Sequence, residues 1–181
     1  MQDSFKGEKM EQVIDKSLDW KDIKEILIKN WMTHDGMWFL HCVMRVGIKK
    51  TNKINKAAVK SMAKIEIKRI KKALSIEKIE NFEQLQKFLG QVFNIVKAEF
   101  MDFTFEYPLI NQLKFTMNRC FAYDGVNRLG YIEEYDCGIF ERLRGWFDEL
   151  RIKYHVTPKI RGCMMNQCGK CYRLFQFSFI E

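Results

Sequence analysis

Hydrophobic residues in the first half of the chain recur at helical spacing. From residue 23 to residue 44 they fall every three or four positions, which predicts an amphipathic helix, and Gly47 is a typical helix stop. The pattern leaves open whether the segment 33–36, with a glycine at its end, divides this stretch into two helices.

Two further helices are expected before residue 99. Thr51 or Asn52 can cap a lysine-rich helix that runs to about residue 76, since both side chains can accept a hydrogen bond from the first turn. Asn81 with Gln84 resembles a capping box and predicts a helix through about residue 98.

The hydrophobic period then changes from helical to alternating. Residues 103–107 and 113–117 alternate apolar and polar side chains on either side of Pro108, which predicts a β-hairpin. The segment 124–127 is rich in turn-forming residues and predicts a break. An amphipathic helix over 139–150 and strands over 154–162 and 172–180 complete the pattern.

This order of elements predicts an α+β fold. A helical N-terminal half, residues 1–98, is expected to pack on a four-stranded antiparallel β-β-α-β-β sheet formed by residues 99–181, as one folded unit. A chain of 181 residues with 47% hydrophobic residues can bury a substantial core without disulfides or metal. No stretch approaches the roughly 20 consecutive apolar residues that a membrane span needs.

The positive charge is concentrated in one segment. Between Lys49 and Lys78, eleven Lys and Arg face two Glu, a net of +9 in a chain of net charge +8. A helical wheel places seven of these lysines on one stripe: Lys49, Lys53, Lys56, Lys60, Lys64, Lys68 and Lys71. Such a stripe can attract nucleic acid, an acidic partner or an anionic membrane surface. A face that contacts only solvent is favoured here, because no aromatic side chains for base stacking are interleaved with the lysines. Nucleic-acid binding is therefore not expected.

The cysteines supply the strongest chemical signal. Five of the six lie beyond residue 119, and Cys163, Cys168 and Cys171 form a C-x4-C-x2-C run. This spacing is typical of a metal knuckle, and Cys120 and Cys137 can complete a tetrahedron if the fold brings them to the same edge of the sheet. Thiolates at this spacing favour zinc, with an iron–sulfur cluster as the alternative.

Other interpretations of the cysteines remain open. Residues 1–22 are polar and charged and show no secretory signal, which favours a cytosolic protein with reduced thiols over disulfides. The cysteines can also be small buried hydrophobes. Cys137 has a further possible role as a nucleophile, because a thiol at the start of a helix has a lowered pKa.

A second candidate site lies in the first helix. Four residues there share one helix face if the segment is continuous: His34, Trp38, His41 and Cys42. The functional interpretation is a small-molecule pocket walled by Trp31, Trp38 and Phe39, in which His34 serves as acid or base. Asp35 orients His34 there only if the backbone breaks at Gly36, because successive residues of a helix point roughly 100° apart. The alternative is that the tryptophans belong to the core. The chain contains none of the common nucleotide-binding, zinc-protease or serine-hydrolase motifs.

Two segments carry a family resemblance. Residues 31–39 resemble the Trp-x3-Asp-Gly-x-Trp-Phe signature of an uncharacterised family of bacterial and archaeal cytosolic proteins, and the cysteines from Cys120 to Cys171 are similar to that family's C-terminal cysteines. The β-β-α-β-β portion, with Cys137-Gly138 and Cys171-Tyr172, is more distantly similar to the small-molecule-binding vinyl-reductase-like and L-2-amino-thiazoline-4-carboxylic acid hydrolase-like domains. These resemblances imply a fold type and a cytosolic setting, without a settled reaction.

Overall fold

The structure, a computed structural model, describes residues 18–179, and the α+β prediction is confirmed. Within this range the helices are α1 (Trp20–Val46), α2 (Ile48–Ala73), α3 (Phe82–Val96), α4 (Phe121–Arg128), α5 (Ile139–Glu149) and α6 (Met164–Cys168). The strands are β1 (Phe103–Glu106), β2 (Gln112–Met117), β3 (Lys153–Thr157) and β4 (Cys171–Ser178). The cytosolic prediction rests on residues 1–22, and residues 1–17 of that segment lie outside the described residues.

The first helix is continuous. Asp19 caps it by accepting hydrogen bonds from the backbone N–H groups of Lys21 and Asp22, and Asp22 completes a capping box. The segment 33–36 stays helical, and α1 ends at Gly47, whose positive φ of 76° suits glycine. Gly47 is thus the helix stop that the sequence predicts.

The cap predicted for α2 is wrong. The helix begins at Ile48, directly after Gly47, so Thr51 and Asn52 lie inside its first turns and both are buried. The hydroxyl of Thr51 donates to the carbonyl of Gly47 at 2.9 Å, and Nδ2 of Asn52 donates to the carbonyl of Glu134 at 2.8 Å. Thr51 therefore bonds back within the first turn of α2, and Asn52 joins α2 to the segment before α5, so neither side chain caps the helix.

The cap predicted for α3 is confirmed. The side chain of Asn81 accepts a hydrogen bond from the backbone N–H of Gln84 at 2.9 Å. Gln84 in turn accepts from the backbone N–H of Glu80 and not from that of Asn81, so the box is displaced by one residue.

The four strands form one antiparallel sheet in the order β1-β2-β4-β3. Along β2 and β4 buried and more exposed residues alternate, which is typical of a sheet covered on one face. Leu113 lies opposite Phe175 at the centre, and Met117 lies opposite Cys171 at one end. The predicted hairpin of β1 and β2 is confirmed.

One element was missed between β2 and β3. Residues 124–127, predicted as a break, belong to helix α4, whose N-cap is Cys120. The turn-forming residues mislead here because the sulfur of Cys120 caps the helix by accepting from the backbone N–H of Tyr123 at 3.4 Å. A thiol is not among the residues that usually signal an N-cap.

A single buried cluster joins the helices to the sheet. Its fully buried side chains come from α2, α3, α5 and the two central strands, and include Ile67, Phe88, Phe93, Leu113, Trp146, Phe147 and Phe175. Helix α5 lies most extensively against α2. Helix α1 packs on α2 outside this cluster. Of the residues of α1, Val43 alone is buried.

The lysine stripe of α2 is partly neutralised. Three of its members form ion pairs at 2.7 to 3.2 Å, which are Lys56 with Asp136, Lys60 with Asp148 and Lys68 with Glu149. The acidic partners lie in or just before α5, so the stripe runs beside this helix instead of facing only solvent. Among residues 18–179, no helix is both long and apolar enough to cross a membrane.

Candidate functional site

A cavity of about 690 Å³ lies between α1 and the body of the protein. Its walls come from α1, α2, α4, α5, the end of α3 and strands β1 and β2. Most of the lining is aromatic or aliphatic, and its aromatic members include Trp31, Phe39, Phe93, Phe103, Phe115, Phe121, Tyr135 and Trp146. This volume and composition are typical of sites that bind small organic molecules.

A polar network crosses one wall of the cavity. Nε of Arg142 donates to Oε2 of Glu66 at 2.8 Å, Nη2 of Arg142 donates to Oε1, and Nε1 of Trp146 donates to Oε2 at 2.9 Å. The guanidinium of Arg142 also lies 5.2 Å from the ring centre of Trp31 and 5.5 Å from that of Trp146. Arg142 is therefore fixed by a carboxylate and two indole rings and holds one orientation beside the cavity.

Asp35 brings a second charge to the cavity. Burial raises the pKa of its carboxyl group, and the nearby His34 and Arg142 act in the opposite direction. Nδ1 of His34 lies 4.0 Å from Oδ1 of Asp35. A carboxyl group that is partly desolvated beside an apolar cavity can orient a polar group of a ligand.

His34 and Trp38 do not line the cavity, although the sequence suggested a pocket around them. In a continuous helix they point away from the face that carries Met32, Asp35 and Phe39, and the side chain of His34 is 72% exposed. Trp31 and Phe39 do line the cavity as expected. The segment thus lines a cavity through Trp31, Asp35 and Phe39 and not through His34 and Trp38.

Four of the cysteines lie at neighbouring ends of elements. Cys120 caps α4, Cys137 precedes α5, Cys163 precedes α6, and Cys171 begins β4. Burial raises the pKa of Cys120 and of Cys171 to about 12, and in each case other thiols of this set contribute to the rise. Cys120 and Cys171 belong to the main buried cluster, and Cys137 packs both on that cluster and on the smaller one that contains Cys163, so we call these four residues the thiol cluster.

Cys168 is separate from the thiol cluster. It is exposed at the end of α6, where Gly169 adopts a left-handed conformation and turns the chain into β4. The C-x4-C-x2-C run thus contains a short helix whose last residue is the exposed Cys168, whereas Cys163 before the helix and Cys171 after it are buried. Among the described residues, no group of three or more His, Cys, Asp or Glu is arranged to hold a metal ion.

The hypothesis of a reactive Cys137 thiolate is not supported by its surroundings. Backbone N–H groups of Ile139 and Phe140, at the start of α5, do lower the pKa of Cys137 as the helix position predicts. Burial has the larger effect and raises the pKa, and the thiol of Cys163 adds to the rise. A thiol with a raised pKa is protonated near neutral pH and is a poor nucleophile.

Tyr135 connects the thiol cluster to the cavity. It is 4% exposed, lines the cavity, and packs edge-to-face on Phe39 of α1 with ring centres 5.7 Å apart. Burial raises the pKa of its hydroxyl, and the thiols of Cys137, Cys120 and Cys163 add to this effect. The cavity and the thiol cluster are therefore adjacent.

Sequence reasoning missed the network around Glu66. The available signal was an acidic residue beside the apolar stripe of a helix whose other charges are almost all basic. Such a residue is typical of a buried ion pair, but its partner Arg142 lies 76 positions away and only the fold joins them.

Comparison with known proteins identifies a family but no activity. Residues 14–138 match a family described as "Family of unknown function (DUF6125)". This range includes the cavity segment of α1, Cys120 and Cys137, and stops before the final strands. No curated protein and no solved structure matches the chain.

Proposed function

Since the chain belongs to this family of unknown function, DUF6125, we propose a function from the geometry of the site, namely binding of a small, mostly apolar organic molecule in the cavity beneath α1. The observation that supports this proposal is the cavity, which is about 690 Å³ in volume and is walled by aromatic side chains and methionines. Burial of apolar ligand surface at about 25 cal/mol per Å² supplies the driving force.

The polar groups at the cavity define the ligand further. Arg142 is neutralised by Glu66, while among residues 18–179 no basic side chain lies closer to Asp35 than His34 at 4.0 Å. Arg119 and Asp124 also reach the lining and pair with each other at 3.4 Å. A ligand with one hydrogen-bonding head group on an apolar body suits a cavity whose other charges are already paired. A second charged group on the ligand would lose its water without gaining a partner.

A cavity-filling substitution tests the proposal. Met62 and Ile65 both lie on α2, but Met62 lines the cavity whereas Ile65 is exposed. Calorimetric titration with decanoate and with 1-decanol should show saturable binding to the wild type. Met62→Trp should weaken that binding at least tenfold, since the larger side chain occupies the cavity, and Ile65→Trp should leave it unchanged. Absence of binding to the wild type, or equal effects of both variants, would contradict the proposal.

A second candidate function is metal binding by the thiol cluster. It is favoured by the buried Cys120, Cys163 and Cys171 and the half-buried Cys137, which lie at the ends of four elements, with zinc as the first choice and an iron–sulfur cluster as the second. The thiols would have to turn toward a common point on binding, which a metal can drive because it binds only the folded state. The free state of all six cysteines also favours a reducing compartment such as the cytosol.

Elemental analysis of protein purified without a histidine tag distinguishes a zinc site, an iron–sulfur cluster and a protein without metal. Stoichiometric zinc in a colourless sample supports a thiolate zinc site, and a brown sample prepared without oxygen supports iron–sulfur. Cys171→Ser should lose the metal, whereas Cys168→Ser and Cys42→Ser should retain it. A wild type without metal under reducing, metal-replete conditions would leave the cavity as the functional site and the cysteines as core residues.

A further inference from the structure

Helix α1 carries an apolar surface that remains largely exposed among the described residues. We call it the α1 stripe, and its members are Trp20, Leu27, Trp31 and Trp38. Their exposure ranges from 36% for Trp31 to 84% for Trp20. Contiguous exposed apolar surface of this kind marks an interaction site in a folded protein.

The spacing of the stripe is that of a helix-pairing seam. Residues seven apart form two interleaved rows, one of Trp20, Leu27, His34 and His41 and one of Lys24, Trp31, Trp38 and Arg45. Positions offset alternately by four and three residues define the seam along which two helices pack. Met32 and Phe39, which line the cavity, and the buried Val43 lie roughly 120° from the stripe around the helix. The seam therefore lies on the flank of α1, where Trp31 also reaches the cavity and Nζ of Lys24 donates to the carbonyl of Asn94 at 2.7 Å.

We infer that α1 pairs with α1 of a second copy of this chain, in antiparallel orientation. Antiparallel pairing about a twofold axis between Trp31 and His34 places Trp20 opposite Arg45 and Leu27 opposite Trp38. The guanidinium of Arg45, which forms no ion pair within residues 18–179, then lies over an indole ring. Parallel pairing would instead place Arg45 on Arg45 and Lys24 on Lys24, and like charges in contact disfavour it.

The exposed apolar area supplies more than half of a standard interface. With about 200 Å² for a fully exposed side chain of this size, the α1 stripe offers roughly 480 Å² per copy. A standard interface buries about 800 Å² per partner, and the polar residues of the seam supply the remainder. This pairing goes beyond the proposed ligand binding, and Trp38, the residue chosen to test it, does not line the cavity.

Sedimentation velocity of the full chain, at concentrations from about 1 to about 100 μM, tests the inference. The wild type should sediment as a dimer of twice the 21.7 kDa chain mass. Trp38→Glu should shift it to the monomer by placing a charge at the centre of the interface. Ile110→Glu is the matched control, since Ile110 is 82% exposed between β1 and β2 and lies outside the stripe. This variant should remain a dimer.

Cross-linking tests the orientation of the two helices directly. In a Cys42→Ser, Cys168→Ser background, a mixture of Trp20→Cys and Arg45→Cys chains should form a disulfide between copies on mild oxidation, whereas Trp20→Cys alone should not. A wild type that stays monomeric at every concentration overturns the inference. So does a monomer that binds vesicles of anionic phospholipid through Trp38, because the stripe would then face a membrane surface.

Discussion

Gly145 of α5 lies so close to α2 that a Cβ atom built on it would come within 2.8 Å of the Cβ of Ala63 and of the carbonyl oxygen of Lys60. Both neighbours belong to or adjoin the backbone of α2 and cannot swing aside as a long side chain can. The absence of a side chain at Gly145 therefore sets the separation of the two helices that carry Glu66 and Arg142, and with it the geometry of the polar network at the cavity.

Gly145→Ala should lower the free energy of unfolding by about 1–3 kcal/mol, since overpacking forces the helices apart. Gly90→Ala is the matched control, because a Cβ atom added to Gly90 of α3 would have no neighbouring atom within 4 Å. That change should be neutral or stabilise by about 0.5–1 kcal/mol, as alanine favours a helix. Urea unfolding measures both, and equal effects at the two sites would refute the close-packing argument.

Glu66→Gln should also destabilise the protein, by about 1–3 kcal/mol. Glu66 and Arg142 have side chains only 17% and 21% exposed, so loss of the carboxylate charge leaves a poorly hydrated guanidinium without a counter-charge. Glu83→Gln is the control, since the ion pair of Glu83 with Lys87 lies on an exposed helix surface and should contribute little. Thermal unfolding compares the two variants, and the Glu66 change should give the larger fall in Tm.

The elements of the fold were largely predictable because they depend on local patterns. The β1–β2 hairpin, helix α5 and the cap at Asn81 follow from hydrophobic period and side-chain caps within a few residues. The failures were also local. Thr51 and Asn52 have the chemistry of helix caps, yet Gly47 already ends one helix and begins the next, so their side chains became available for other partners.

The candidate site was less predictable because it is assembled from distant segments. The sequence identifies Trp31, Asp35 and Phe39 as one segment, but it does not show that Phe115 and Trp146 form the facing walls. The cysteine spacing suggests a common site for the final three cysteines, whereas helix α6 leaves Cys168 exposed while Cys163 and Cys171 are buried. Spacing along the chain does not determine which way a side chain faces once a helix forms between two ligands.

Tyr107 should titrate only at strongly alkaline pH. Burial raises the pKa of its hydroxyl from the usual 10 to about 12, and its ring packs against Phe82 at 5.7 Å. Because the folded state holds this proton more tightly, the stabilisation is complete below pH 10 and is lost as pH rises toward 12. Difference absorbance of phenolate measures how many tyrosines ionise at each pH. Tyr107→Phe should remove one late-titrating tyrosine from the curve. A wild type in which every tyrosine ionises near pH 10 would contradict the assignment.

The cysteines should differ sharply in their reactivity toward an alkylating reagent. Cys168 is exposed and should react within minutes at pH 8, while Cys120 and Cys171 are buried and their pKa values of about 12 leave almost no thiolate. Peptide mass spectrometry after a timed pulse of iodoacetamide on chelator-treated protein identifies the modified residues, and a denatured sample gives the reference in which all react alike. Cys168→Ser should abolish the fast phase without changing the slow one. Rapid modification of Cys120 in the folded chain would show that α4 opens readily, since its N-cap thiol reaches the reagent only when the hydrogen bond from Tyr123 breaks.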